Sequence, residues 1–237
     1  MSQGHRRAAI EAMVERVRAI AWRVHDAPLN EDTAAKRLEE YNPSRFMYYG
    51  IDWGEFPDGT DNITMQGFHP NNDIAGEHVL FIASFHNNDV TLSQFSVLVV
   101  LLQSFLKSLT IVLPFYSVGT NERVEFEGKV ATANTYSILL SNLPTAGTPN
   151  RLMIYDIHAL QNRFYFHGST IPSLHSAVPL LIAKLKECNV TTVVFPDDGT
   201  AKRFKPLFRG FDFVTCVKVR AGTQRIVRIQ DGNPSGK

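Results

Sequence analysis

Apolar residues Ile10, Met13, Val14, Val17, Ala21 and Val24 recur at helical spacing, with Glu11, Glu15, Arg16, Arg18 and Arg23 mostly between them. This pattern predicts an amphipathic helix of about four turns whose apolar side covers its own domain or serves as an oligomerisation or packing arm. A shorter helix is expected over 31–40. A strand is expected over 46–52, broken by a polar stretch that holds the turn Pro57-Asp58-Gly59, with 63–65 returning as the second arm of a hairpin. From His78 onward the period changes. Apolar runs at 78–85, 109–115 and 151–157 read as buried strands, with helices at 91–107 and 131–140 between them. The 91–107 segment is apolar around most of its circumference, which predicts a helix covered on two sides. Ser176 is placed to cap a further helix reaching Glu187, with Pro179 tolerated in its first turn. Strands at 191–195 and 213–219 continue the alternation. Strands that alternate with helices imply right-handed crossovers, hence an α/β fold with mostly parallel sheets. Gly168 and Pro172 punctuate the pattern and put a domain boundary near 168–175. Only three candidate strands remain beyond it, so the second sheet reads as incomplete.

At 237 residues the chain has room for one large or two ordinary domains. A net charge of +1 gives no basic surface for nucleic acid or an anionic membrane, so neither is expected as a partner. The longest apolar run, 95–106, is interrupted by Ser96, Gln103 and Ser104, and falls short of the ~20 residues that span a bilayer. Cys188 and Cys216, the only cysteines, have no metal-site spacing and make no disulfide framework. A reducing compartment is expected. The arginine-bearing N-terminus has no apolar core behind it, and Glu11 and Glu15 do not suit a transit peptide, so the cytosol is expected.

Candidate chemistry concentrates at the carboxyl ends of strands. The β-branched run Val190–Val194 leads into Phe195-Pro196-Asp197-Asp198-Gly199-Thr200, an acidic glycine turn opening a helix. In that position such a turn suits phosphate groups and the metal that accompanies them; it also suits plain helix capping. Asp156 and His158 lie two apart at the end of the third strand, so strand parity would put them on one face. Residues 117–129 form a long polar segment after a strand, with Arg123 and Lys129 as its cations and the character of a lid or a mobile surface loop. Lys218 and Arg220 alternate on another strand, where cations can neutralise a transferring phosphoryl group. No Walker A loop, dinucleotide fingerprint, serine elbow or His-x-x-x-His pair is present.

These landmarks together resemble the ribose-phosphate diphosphokinases, or phosphoribosyl pyrophosphate synthetases, in particular their plant-type, phosphate-independent branch. The match runs from about Tyr48 onward. It is carried by Asp156-Ile157-His158-Ala159-Leu160-Gln161-Asn162-Arg163-Phe164-Tyr165-Phe166 and Pro196-Asp197-Asp198-Gly199-Thr200-Ala201-Lys202-Arg203-Phe204. Lys218-Val219-Arg220, the run 225–229, Phe56-x-Asp58-Gly59, Ala83-Ser84-Phe85 and Gly119-Thr120-x-Glu122-Arg123 keep the same order. The resemblance implies transfer of the diphosphate of ATP to ribose 5-phosphate, with Mg²⁺, by an oligomer of two phosphoribosyltransferase-like domains. Under it, residues 1–40 are a helical extension, 41–170 the first domain and 171–237 part of the second. His158 and Asp197 would engage the metal–nucleotide, and Asp197, Asp198, Gly199 and Thr200 would form the diphosphate loop. Arg123 would come from the loop that closes over ATP, Lys218 and Arg220 would stabilise the transition state, and Phe56 and Asp58 would receive adenine, usually from a neighbouring subunit. Thr60 and Asp61 depart from the acidic residue common after the adenine turn. The family's ribose 5-phosphate loop has no counterpart before Lys237, so truncation is expected, as is weak activity. The alternatives are a regulatory or structural subunit of a synthetase assembly and, against the Asp-x-His pair and the loop, a phosphoribosyltransferase.

Overall fold

The computed structural model describes residues 31–221 and 224–233. The helix expected over 10–24 lies outside them. The described chain falls into two units, the first ending at Ser176 and the second beginning at Ala177.

The first unit opens with α1 (Glu31–Tyr41) and a two-stranded antiparallel hairpin of β1 (Ile51–Glu55) and β2 (Asp61–Met65). β1 starts later than its sequence pattern predicts and continues through Trp53 and Gly54, because the register runs from Ile51 opposite Met65 to Glu55 opposite Asp61. Gly54 permits that pairing: a Cβ there would stand 2.7 Å from the Asn62 carbonyl oxygen. The main sheet holds four parallel strands in the order β3 (His78–Ile82), β4 (Ser108–Leu113), β5 (Asn150–Tyr155) and β6 (Thr170–His175). The helices α2 (Asn88–Leu102) and α3 (Thr132–Ser141) make the first two crossovers.

Three expectations change here. The segment 170–175, read from sequence as a boundary, is the edge strand β6; Pro172 is compatible with an edge, where a missing N–H disturbs least. The boundary therefore moves from 170 to Ser176. The helix α2 is shorter than expected and is covered on one side only: Val97, Leu98, Leu101 and Leu102 are buried whereas Leu92 and Val100 are exposed. It starts where the Asn87 side chain accepts a hydrogen bond from the Val90 N–H at 2.8 Å, and it ends before Phe105, whose φ of 61° is left-handed. Ser176 does not cap the next helix. The cap position is Ala177, and the Ser176 hydroxyl donates to Asp156 Oδ1 at 2.6 Å.

The second unit comprises α4 (Val178–Glu187), β7 (Thr192–Phe195), α5 (Asp198–Phe204), β8 (Asp212–Ala221) and β9 (Gln224–Asp231). β7 and β8 are parallel and β8 and β9 form an antiparallel pair, in keeping with the expected mostly parallel sheets. Two residues separate β8 from β9, and a parallel return needs a crossover of roughly a dozen.

Each unit has its own core. In the first, Phe81, Leu109, Ile111, Leu113, Leu152 and Ile154 pack with Leu98 and Leu140 of the helices. In the second, Val178, Phe195, Ala201, Phe208 and Phe211 form a smaller cluster around three ring contacts. The two faces of α2 supply a matched test. Leu98→Ala, at a fully buried site, should cost about 2–5 kcal/mol in urea denaturation. Leu92→Ala, at an exposed site on the same helix, should stay within about 0.5 kcal/mol. Equal losses would mean that the packing side is misassigned.

Candidate functional site

Parallel pairing brings the carboxyl ends of β3 to β6 to one edge of the first sheet, the edge where open α/β sheets bind ligands. Two of the predicted segments leave from it. After β4 the chain passes Tyr116, a buried residue whose hydroxyl donates to the Ala133 carbonyl at 2.8 Å and lies 3.0 Å from Ser137 Oγ. Burial pushes the Tyr116 phenol up to about 12, so it stays a neutral donor. A 3₁₀ turn comes next (Ser117–Thr120), its Ser117 hydroxyl bonded to the Phe85 carbonyl beyond the end of β3. Asn121 Nδ2 donates to Thr132 Oγ1 at 2.9 Å, which draws the two ends of the 121–132 loop together.

The second segment leaves from β5. Asp156 adopts a left-handed φ of 44°, and β5 stops at Tyr155. The strand-parity argument for Asp156 and His158 therefore fails, because alternation ends before either residue. Asp156 turns to Ser176, and His158 is exposed on the loop. A second 3₁₀ turn (Leu160–Tyr165) then ties back to the first. Asn162 Nδ2 donates to the Gly119 carbonyl at 3.1 Å, and the Tyr165 hydroxyl donates to the Glu122 carbonyl at 3.0 Å. A Cβ on Gly119 would come within 3.2 Å of the Tyr116 ring and 3.6 Å of His158 Cβ, so glycine allows this close approach. Arg123 is exposed, with its Nε 3.2 Å from Glu122 Oε1. Lys129, the loop's other cation, is paired with Glu125 at 2.9 Å.

Elsewhere in this unit, Phe56 and Asp58 sit at the tip of the β1–β2 hairpin. The Phe56 N–H donates to the Thr60 carbonyl at 2.8 Å, closing the tip. Asp58 Oδ1 accepts from the Thr60 hydroxyl at 2.6 Å and its N–H at 3.0 Å, which holds the Asp58 carboxyl below the usual range.

In the second unit the acidic stretch is an N-cap and first helical turn rather than an open loop. Asp197 Oδ1 accepts from the Thr200 N–H at 2.8 Å and the Thr200 hydroxyl at 2.7 Å. Its other oxygen, Oδ2, accepts from Lys218 Nζ at 2.8 Å, across from β8. Asp198 pairs with Lys202 one turn on, at 2.6 Å, and Gly199 lies inside α5. Arg220 belongs to β8; its side chain lies outside the described part. A cleft of about 450 Å³ runs beside α5, lined by Asp198, Lys202, Lys205, Thr215, Gln230 and Asp231, without Asp197 or Lys218.

Among the described residues no group of three His, Cys, Asp or Glu side chains is placed to hold a metal by itself, and no helix is long and apolar enough to cross a membrane. Three polar residues stand out that the sequence did not single out for a role: Glu122, Asn162 and Tyr165. Their part depends on burial and on pairing over about forty positions, and no spacing rule signals that.

Comparison with known proteins adds the decisive observation. The chain is 46% identical over 191 residues to Ribose-phosphate pyrophosphokinase 4 of Oryza sativa subsp. japonica, covering 79% of this chain and 58% of that protein. It is 45% identical over 190 residues to Ribose-phosphate pyrophosphokinase 4 of Arabidopsis thaliana, covering 78% and 56%. Over its matched part the chain is similar to ribose-phosphate pyrophosphokinases. The chloroplastic rice pyrophosphokinase 3 is likewise 46% identical, over 46% of its length. The chain thus spans about half the length of the curated relatives it matches. No family model matches it. Among solved structures, the phosphoribosylpyrophosphate synthetase from Mycobacterium smegmatis aligns with a TM-score of 0.61 at 21% identity, over 84% of this chain and 62% of that one. That likeness establishes the α/β phosphoribosyltransferase-like fold.

Within this chain, the Asp197 environment yields a measurable prediction. Lys218 first, then the two Thr200 bonds, lower the Asp197 carboxyl from 3.8 to about 2. A depressed carboxyl stabilises the folded state above its unfolded value, and that contribution is lost as pH falls from about 4 through about 2. Lys218→Ala removes the largest cause and should raise the Asp197 midpoint towards 3.8, as read by carbon-13 carboxyl NMR. An unmoved midpoint would show that the pair does not persist in solution.

Proposed function

We propose that this chain is a ribose-phosphate diphosphokinase-type protein that handles Mg²⁺-ATP as diphosphoryl donor and ribose 5-phosphate as acceptor, forming phosphoribosyl pyrophosphate and AMP. One observation carries the reading most directly. Two of the motifs behind the family resemblance, twenty-one positions apart, meet in the 2.8 Å contact of Lys218 Nζ with Asp197 Oδ2, a carboxylate and a cation at the end of a β-strand. Transfer of this kind needs little covalent chemistry from the protein; it needs positioning and charge stabilisation.

In this reading Lys218 and Arg220 neutralise the charge that develops on the transferred diphosphate. The N-capping stretch Asp197-Asp198-Gly199-Thr200 borders it. Arg123 grips the polyphosphate from its loop, and Phe56 and Asp58 receive the adenine ring, in an oligomer from a neighbouring copy. Mg²⁺ bound to nucleotide phosphates takes only one or two protein donors, so the absence of a three-residue cluster among the described residues does not conflict with it. The donors present fit that role: His158 is exposed, and Asp197 is an ionised carboxylate whose lysine partner a cation could replace. The free Cys188 and Cys216 suit a reducing compartment, and the cytosol is the one proposed.

The chain spans about half the length of the relatives it matches, and productive transfer requires both substrates to be held at once. The test is an AMP-release assay with Mg²⁺-ATP, with and without ribose 5-phosphate. It compares this chain with one extended by the C-terminal part of the rice relative. AMP release that needs ribose 5-phosphate, occurs in the extended chain and falls at least about 100-fold in its Lys218→Ala variant is the expected result. Nucleotide binding without AMP release from the extended chain would favour a regulatory subunit instead.

A further inference from the structure

Besides the candidate site, the chain presents the cleft beside α5, the exposed apolar face of the β8–β9 ribbon, the outer face of the main sheet and the buried polar groups of the first unit. The last of these carry an inference. Glu122 is a carboxylate with 3% of its side chain exposed, next to Arg123, whose side chain is 75% exposed. A carboxylate so enclosed requires a compensating partner. Its Oε1 has Arg123 Nε at 3.2 Å, and its Oε2 is buried with no hydrogen-bond partner. The Glu122 carbonyl is itself held by the Tyr165 hydroxyl, and Asn162 anchors Gly119 three residues earlier.

We propose that Glu122 is the positioning residue of Arg123: it engages the Nε edge of the guanidinium and leaves the terminal nitrogens turned towards an anionic ligand. The geometry divides the labour. Arginine has five N–H donors in a rigid fork, so one can be committed to the protein while the others remain for phosphate oxygens. Tyr165 and Asn162 fix the backbone that carries the pair, and they do so from the segment that also contains His158. The Arg123 fork thus faces the ligand already oriented, which lowers the ordering cost of binding. The ligand class, a nucleoside triphosphate, rests on the function proposed above; the Glu122–Arg123 arrangement does not.

Two measurements on the whole chain test this. The first is the Arg123 Nε–Hε signal in arginine-labelled NMR, assigned by its loss in Arg123→Lys. It should exchange with water more slowly than in exposed arginines and speed up in Glu122→Gln, which keeps the side-chain shape but removes the charge. The second is calorimetry with Mg²⁺-ATP and with AMP. Glu122→Gln should weaken Mg²⁺-ATP about tenfold, within the coupling range of charged groups in direct contact, and leave AMP unchanged. In an Arg123→Ala background the same substitution should add nothing, because coupled residues do not act additively. Equal weakening of both nucleotides, a full effect that persists without Arg123, or fast wild-type Nε–Hε exchange would each overturn the assignment. If the wild-type chain binds no Mg²⁺-ATP, the nucleotide reading falls, and the NMR signal alone decides the positioning role.

Discussion

The in-register parallel ladder of β3 to β6 is the constraint on which the first unit depends. Parallel strands deliver every carboxyl end to the same edge, so the segments that leave β4 and β5 must turn within one small region. Their backbone polar groups then need partners other than the sheet. Asn162 and Tyr165 answer two of those carbonyls directly, Ser117 answers the Phe85 carbonyl beyond β3, and Tyr116 anchors the start of the first turn to α3. The architecture therefore produces a rim of polar tethers, and the candidate side chains His158 and Arg123 stand on it.

The second unit solves a related problem with one carboxylate. Asp197 stands just past the end of a strand, caps a helix and receives Lys218 from the neighbouring strand, using both oxygens. The cap is local and would form in many sequences. The lysine contact is not local; it requires the parallel pairing of β7 with β8. Any cation that approached Asp197 would compete with an ammonium already in place, in a setting that keeps the carboxylate ionised through the whole neutral range. Under the proposed function, a metal drawn there would arrive with phosphates that Lys218 could follow. Binding and release of the lysine would then be coupled to the presence of the anion.

Much of the fold was legible because its signals are local. Apolar runs bounded by turn residues marked β3, β4, β5, β7 and β8, and Pro57-Asp58-Gly59 marked the hairpin. The strand β6 was hidden because Pro172 reads as a breaker unless the strand is known to lie at an edge. The course of β9 depended on the length of its connection rather than on its composition. At the site, the motif order pointed to segments that the fold brings to strand ends, whereas the expected relation of Asp156 to His158 assumed a strand that had already ended. A left-handed φ at a residue other than glycine is only weakly marked in a single sequence, by a residue type such as Asp that tolerates it.

The same limit explains why a role could be read for Arg123 but none for Glu122, although both stand in the same matched stretch. A cation in a polar loop announces itself by type, but a buried acid beside it reads as one more surface charge. Burial reverses its meaning. An exposed Glu122 would compete with phosphate for the guanidinium and be screened by solvent. A Glu122 enclosed on one side of Arg123 cannot follow the guanidinium outward, so it holds a single edge of the fork. Lysine could not replace Arg123 in this arrangement, since an ammonium is a single point of charge and would be drawn wholly to the buried acid. The pairing of a buried glutamate with an exposed arginine is thus a physical reason for arginine at position 123, independent of which anion it meets.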